Sequence, residues 1–228
     1  MGLFSSFWSL FFPSCCLVCN QLLVESEHGL CVTCHMGLPV APAVYELPDR
    51  IESFLQGAVP VAGASAWLGY QKESRYRRLI FQLKYKGNQE AARSLGRWMA
   101  VAFRQEGFFN GVDLLVPVPL HSRRYSQRGY NQSECIAQGV SAVTGIPLVA
   151  DLVCRIRHTP TQTRLDADHR WENVKDGFDL RKPLLAEGKH ILLIDDVFTT
   201  GATVAACALA FREVREVKVS VLTLAVAL

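Results

Sequence analysis

The chain has 228 residues, 50% of them hydrophobic and 20% charged, with a formal net charge of +3. That length buries a substantial core and suits one α/β domain with a small appendage, and the composition excludes a disordered or collagen-like chain. A charge of +3 is too small, on its own, to make nucleic acid the partner.

Residues 2–12 are apolar and contain no Lys or Arg. They lack the basic start of a secretory signal and are too short to span a bilayer before Pro13. The expectation is a cytoplasmic protein with no membrane contact. Leu3, Phe7, Leu10 and Phe11 recur at helical spacing, which predicts a short amphipathic helix packed on the main domain. Met1-Gly2 with Ser6 fits a myristoylation pattern only nominally.

Cys16-x-x-Cys19 and Cys31-x-x-Cys34 come next, with eleven residues between the pairs. Four thiolates so arranged suit a closed, tetrahedral zinc site, and a segment with almost no core of its own needs the metal to stay folded. Disulfides would need an oxidising compartment, for which the chain carries no signal. Cys15 competes with Cys16 as a ligand, and His28 and His35 are fallback ligands. The loop between the pairs holds Glu25 and Glu27 and no basic residue, which disfavours nucleic-acid contact there. Bracing of the larger domain or protein contact fits better. Cys135, Cys154 and Cys207 lie in apolar surroundings and read as core thiols. The module is taken as residues 1–42 and the main domain as 43–228.

Residues 39–55 read as a linker ending in a short helix, and 59–68 as a strand or strand pair. A helix is predicted over 73–85, with Tyr76, Leu79, Ile80 and Leu83 on one face and Arg75, Arg78 and Lys86 on others. Gly87 stops it. Further helices are predicted at 89–104 and 131–143, and strands at 114–118, 148–153, 191–194 and 217–226. Strands alternating with helices imply a mostly parallel sheet with ligands at the strand carboxyl ends. Between His121 and Arg170 lie seven arginines and no lysine, a composition suited to phosphate oxygens. Residues 159–173 read as a mobile lid.

The most informative stretch is 190–203. An apolar run, Ile191 to Ile194, ends in Asp195 and Asp196, then Val197-Phe198-Thr199-Thr200-Gly201-Ala202-Thr203 leads into an alanine-rich helical segment. A buried strand, an anion-binding turn and a helix start are expected in that order. Hydroxyls and backbone N–H groups can hold a phosphate, with Gly201 letting the backbone come close. The carboxylates can hold sugar hydroxyls or a metal-bound sugar. A phosphorylated ribose meets both demands. No Gly-x-x-x-x-Gly-Lys-Ser/Thr loop is present, which excludes a P-loop ATPase.

This segment resembles the 5-phosphoribosyl 1-pyrophosphate (PRPP) loop of type I phosphoribosyltransferases. The whole chain further resembles the ComF/GntX competence-protein family. It does so through the four cysteines, Leu83-Lys84-Tyr85-Lys86-Gly87, Val116-Pro117-Val118-Pro119, Arg128-Gly129-Tyr130-Asn131-Gln132, Thr159-x-x-Gln162, Arg170, Asn173 and Gly177-Phe178. The resemblance implies a type I phosphoribosyltransferase sheet with an N-terminal zinc module, structural Zn²⁺, and Mg²⁺ bound with PRPP. By position, Asp195 and Asp196 would bind the ribose hydroxyls, and residues 197–203 would wrap the ligand, with Thr199 to Thr203 on its 5′-phosphate. Pro117, Val118, Pro119 and Leu120 would meet the pyrophosphate, with Arg128, Arg155 and Gln162 around it. The family also implies a role in DNA uptake and natural transformation, with single-stranded DNA and a helicase-type competence protein as partners. Where 6-oxopurine enzymes carry an Asp that helps protonate the base, this chain has Thr199, which disfavours hypoxanthine and guanine as acceptors. Three readings follow: a transferase of unknown acceptor, a PRPP-sensing binding protein without turnover, and a single-stranded-DNA adaptor.

Overall fold

The computed structural model describes residues 14–40, 47–55, 57–71, 73–85, 87–156 and 177–228. The expected N-terminal helix, Lys86 and the 159–173 segment with Gln162 lie outside the described residues. Four parallel strands form the sheet in the order β1 (Val61–Tyr70), β6 (Lys218–Ala227), β5 (His190–Phe198) and β2 (Leu114–Pro117). In β5, Ile191 to Ile194 are all fully buried. A strand covered on both faces has no polar side to show, hence the unbroken apolar run.

Leu192 and Ile194 join Leu222 and Leu224 on one face. That layer holds α3 (Arg77–Tyr85), α4 (Gln89–Arg104) and α6 (Gln132–Thr144), together with Leu17, Val18 and Leu30 of the cysteine module. Ile191 and Leu193 join Val219 and Val221 on the other face, beneath α2 (Leu47–Leu55) and α7 (Ala202–Leu209). Among its described residues the module has one short helix, α1 (Val32–Met36). Among the described residues, no helix is long and apolar enough to cross a membrane.

The expected helices at 89–104 and 131–143 are present, and Tyr76, Leu79, Ile80 and Leu83 are buried as their spacing predicts. The expected strand at 148–153 is corrected. Leu148 makes one parallel bridge to Leu115, and the next strand, β3 (Val153–Arg155), pairs antiparallel with β4 (Phe178–Leu180). The reason is in β2. Leu115 donates to Pro147 and accepts from Val149, while Val118 donates inward to Ile194. Alternation therefore turns Pro117 outward, and a proline has no N–H with which to continue an edge ladder. Sequence reading also missed α5 (Ser122–Arg128), which His121 caps by accepting from Arg123 N at 3.2 Å and Gly129 ends at φ +78°.

Helices α4 and α6 touch through two glycines. A Cβ on Gly96 would lie 2.1 Å from the Ile136 carbonyl oxygen, and one on Gly139 would lie 2.1 Å from that of Arg93. Backbone cannot yield as a flexible side chain can, so the helices must part. Gly139→Ala is expected to cost about 1–3 kcal/mol through overpacking, lowering the thermal midpoint by several degrees. An unchanged midpoint would contradict this packing.

Candidate functional site

The carboxyl ends of β5 and β2 gather the sequence motifs into one place. At the end of β5, Asp195 is buried at 8% exposure. Its Oδ1 accepts from Ser133 Oγ at 2.9 Å and from the Asp196 backbone N–H at 2.8 Å. Burial, with the charge of Asp196 adding to it, pushes the Asp195 carboxyl up to about 7, against the pull of those hydrogen bonds and Lys84. Asp196 is more open, and its Oδ2 meets Lys84 Nζ at 3.3 Å. The two acids are thus unequal: one is held inward, the other faces a lysine from α3.

The other motifs are tied to one another and to the elements around this pair. The Tyr130 hydroxyl donates to the Leu83 carbonyl, joining the Arg128–Gln132 motif to the Leu83–Gly87 motif. Asn131 N-caps α6 by accepting from Ser133 N at 3.2 Å, and its Nδ2 donates to the Val118 carbonyl at 3.1 Å. One side chain therefore starts a helix and holds the Val-Pro-Val-Pro turn. Arg128 Nη1 donates to Gln132 Oε1 at 2.7 Å and its guanidinium lies 5.5 Å from the Tyr85 ring centroid. Gln132 is buried, and its Nε2 finds no hydrogen-bond partner among the described residues. Arg155 lies 5.2 Å above the Phe178 ring. Burial first, then the Arg124 charge, lowers its pKa, while Asp195 works the other way, so these three charges share one region.

In the last two residues of β5, Val197 is partly exposed and Phe198 is buried; beyond the strand Thr199, Thr200 and Thr203 are exposed. Gly201 takes φ +92°, and a Cβ there would lie 2.7 Å from the Phe198 ring, so both conformation and space demand glycine. Gly201 N-caps α7 without a side chain, leaving first-turn N–H groups for an anion, while Thr200 Oγ1 accepts from Ala202 N at 3.4 Å. Pro117 and Val118 are buried, whereas Pro119 and Leu120 are partly exposed. Sequence reading missed Ser133, because only the fold brings it to Asp195, sixty-two positions away. A polar residue in the first turn of an otherwise buried helix was the one available signal.

The second centre is the cysteine cluster. The sulfurs of Cys16, Cys19, Cys31 and Cys34 all lie within 4.8 Å of one another, with Cys19 and Cys31 at 3.7 Å. A tetrahedral ZnS₄ site with bonds near 2.3 Å has sulfurs about 3.8 Å apart, so these four can hold such an ion. Burial resists ionisation of Cys16, yet N–H groups of Cys19, Cys31 and Val18 bring it down to about 6; burial and the adjacent thiols push Cys34 up to about 12. A cation would favour all four thiolates. Among the alternatives, Cys15 instead bridges Leu22, and His35 stacks on Trp98 at 4.2 Å. Glu27, read from sequence as an obstacle to nucleic acid, accepts from Val24 N and Val32 N and shapes the loop. The module is fixed to the main domain by Tyr76 OH donating to the Cys34 carbonyl and Arg78 to Asn20 Oδ1, both at 3.1 Å.

Two outcomes are expected. Metal analysis should find about one zinc per chain, lost in Cys31→Ser/Cys34→Ser together with the fold of residues 14–36; a metal-free chain melting like wild type would contradict the site. Asp195 binds its proton up to about 7 in the fold but only to about 3.9 when unfolded. Its contribution to stability is therefore complete below pH about 4 and lost as pH rises through 7. Asp195→Asn keeps an acceptor oxygen for Ser133, so its unfolding free energy should gain on wild type between pH 5 and 8. Parallel profiles would refute the burial assigned to this carboxyl.

No protein-family model matches the chain. It is 32% identical over 211 residues to the DNA utilization protein YhgH of Salmonella typhimurium, covering 85% of this chain and 88% of the relative. It is 29% identical to competence protein F of Haemophilus influenzae, with the same coverage of both chains, and 32% identical to competence protein ComFC of Bacillus subtilis over 40% of this chain and 34% of that one. Among solved structures, glutamine PRPP amidotransferase from B. subtilis overlaps 63% of this chain and 30% of its own at TM-score 0.43 and 21% identity. A Staphylococcus aureus hypoxanthine phosphoribosyltransferase overlaps 59% and 62% at TM-score 0.37 and 16% identity. Overlaps that loose carry no weight for function. The sequence relatives do: this chain belongs to the competence protein F/YhgH family.

Proposed function

We propose that the chain binds PRPP, with Mg²⁺, at the turn between β5 and α7, and that it serves DNA utilisation as a phosphoribosyltransferase-like protein. The observation that carries this reading is the convergence of residues from motifs far apart in the chain on the segment around Asp195 and Asp196 and on the elements beside it. Lys84, the Tyr130–Leu83 link, Asn131 on Val118 and Ser133 on Asp195 all serve one strand end. A purely structural turn needs no such investment in buried polar contacts. The relatives' names, DNA utilization protein and competence protein, support the cellular role. In the same reading residues 1–42 form a zinc-braced module and 43–228 the ligand-binding domain.

Each residue has a part. Asp196 takes a ribose hydroxyl, and Asp195 fixes the strand end through Ser133 and the Asp196 N–H. The first turn of α7, with Thr199, Thr200 and Thr203, takes the 5′-phosphate. The Leu120 backbone N–H, with Arg124, Arg128 and Arg155, faces the diphosphate. Bound Mg²⁺ would supply charge neutralisation at that diphosphate. In a transfer reaction the C1–pyrophosphate bond breaks toward these cations while Asp196, positioned by Asp195, holds the sugar.

Calorimetric titration with PRPP and Mg²⁺ tests the reading. Asp195→Asn/Asp196→Asn removes the charge-assisted contact of Asp196 with the sugar and the acid that positions it, and is expected to weaken binding by about 10- to 150-fold with the fold intact. Undiminished binding would place the ligand elsewhere. Pyrophosphate release, screened against bases and amines, separates a transferase from a binder: release with one acceptor marks turnover, and binding without release marks a sensor.

A further inference from the structure

Strand β4 pairs with β3 and, among the described residues, with no other strand. The ladder runs Val153↔Leu180, Cys154↔Asp179 and Arg155↔Phe178, flanked by bonds from Arg181 N to the Leu152 carbonyl and from Ile156 N to the Gly177 carbonyl. Alternation makes Cys154 and Asp179 the bonded pair and turns the backbone groups of Phe178 and Leu180 away from β3. The Leu180 N–H goes to Asp179 Oδ1 at 2.9 Å. The Phe178 N–H and the carbonyls of Phe178 and Leu180 have no partner among the described residues. A cleft of about 340 Å³ runs along this edge. All three residues of β4 line it and none of β3 does, so it lies on the far side of the strand. Its opposite wall is the turn past the carboxyl end of α7, with Ala210 and Val214. Three carboxylates, Asp179, Glu187 and Glu213, stand around it against one cation, Arg212, whose Nε meets Glu213 Oε1 at 3.6 Å. Asp179 and Glu187 have no ion-pair partner among the described residues. On a chain of net charge +3 this is a local excess of negative charge, and the carboxyl end of α7 adds to it. Beside the cleft, Pro183 opens a 3₁₀ turn whose Leu184 and Leu185 are 79% and 49% exposed.

We infer that β4 takes an extended segment of a partner protein as a third strand, with a Lys or Arg opposite Asp179 and an apolar residue on each side of it. Side chains directly opposite each other in a ladder share a face. The residue opposite Asp179 therefore meets a carboxylate. Its two neighbours fall on the face of Phe178 and Leu180, whose side chains join the core that α7 covers. The edge thus reads an apolar–basic–apolar alternation. A diamine or a metal ion would answer the carboxylates and leave the strand's backbone groups unmatched, whereas an extended chain answers both. The cleft lies at the carboxyl end of α7, eight residues or about 12 Å along the helix from the turn proposed to hold the phosphate. The inference goes beyond the PRPP reading and does not rest on it.

Fluorescence anisotropy of the full chain with a labelled Val-Lys-Val-Arg-Val peptide tests the proposal, beside Val-Glu-Val-Glu-Val and the basic peptide with its backbone N-methylated. The basic peptide should bind and slow hydrogen exchange of the Phe178 amide, and the acidic one should not bind. Glu187→Lys turns attraction into repulsion and should weaken binding about 2- to 30-fold. N-methylation should weaken it about 2- to 12-fold for each hydrogen bond lost. Glu187 is exposed and outside the phosphoribose site, so PRPP calorimetry on Glu187→Lys should match wild type. That separates failure of this edge from failure of the phosphoribose site. No binding of the basic peptide, binding indifferent to Glu187→Lys, equal binding of the N-methylated peptide, or equal competition by putrescine would each overturn the proposal, the last pointing to a small-cation site instead.

Discussion

A carboxylate at the end of a strand that both faces of the protein cover is the constraint on which the rest depends. Ile191 to Ile194 can be wholly apolar because helices close both sides of β5, but Asp195 continues the same strand and stays at 8% exposure. A buried acid must either find donors or keep its proton. Asp195 does both: Ser133 and the Asp196 N–H serve it, and burial still raises it to about 7. Asp196, one residue on, falls with Leu192 and Ile194 on the α3 side, where Lys84 answers it. The strand thus delivers one acid held by the protein and one poised at the surface of the site.

The motifs that surround this strand end act as its scaffold. Tyr130, Asn131 and Gln132 form no contiguous catalytic set; each reaches a different element, to Leu83, Val118 and Arg128 respectively. Rigid placement of this kind suits the proposed phosphoribosyl chemistry, which would need oriented groups and a compensated diphosphate more than a covalent nucleophile. The cysteine module belongs to the same arrangement at one remove. Its Leu17, Val18 and Leu30 share a core with α3 and α4, so a metal that holds the knuckles also steadies the helix carrying Lys84.

Much of this was legible in the sequence, for stated reasons. The β5 run, the Gly201 turn and the two cysteine pairs are local signals, in which residue type and spacing alone specify the geometry. The helices at 89–104 and 131–143 were legible in the sequence, and the structure shows Asn88 and Asn131 capping them. What escaped was non-local. Ser133 reaches Asp195 only once α6 packs against β5. The strand expected at 148–153 failed because β2 turns Pro117 toward that edge, a fact of register that no window around residue 148 contains.

The central claim is that the β5–α7 turn is a phosphoribose cradle guarded by Lys84. A crystal soaked with PRPP and Mg²⁺ tests it most directly. The account predicts density for the 5′-phosphate against the first turn of α7, a sugar hydroxyl on Asp196, and Lys84 drawn away from that carboxylate. A soak at saturating PRPP in which the turn holds no ligand and the Lys84–Asp196 pair is unaltered would contradict it.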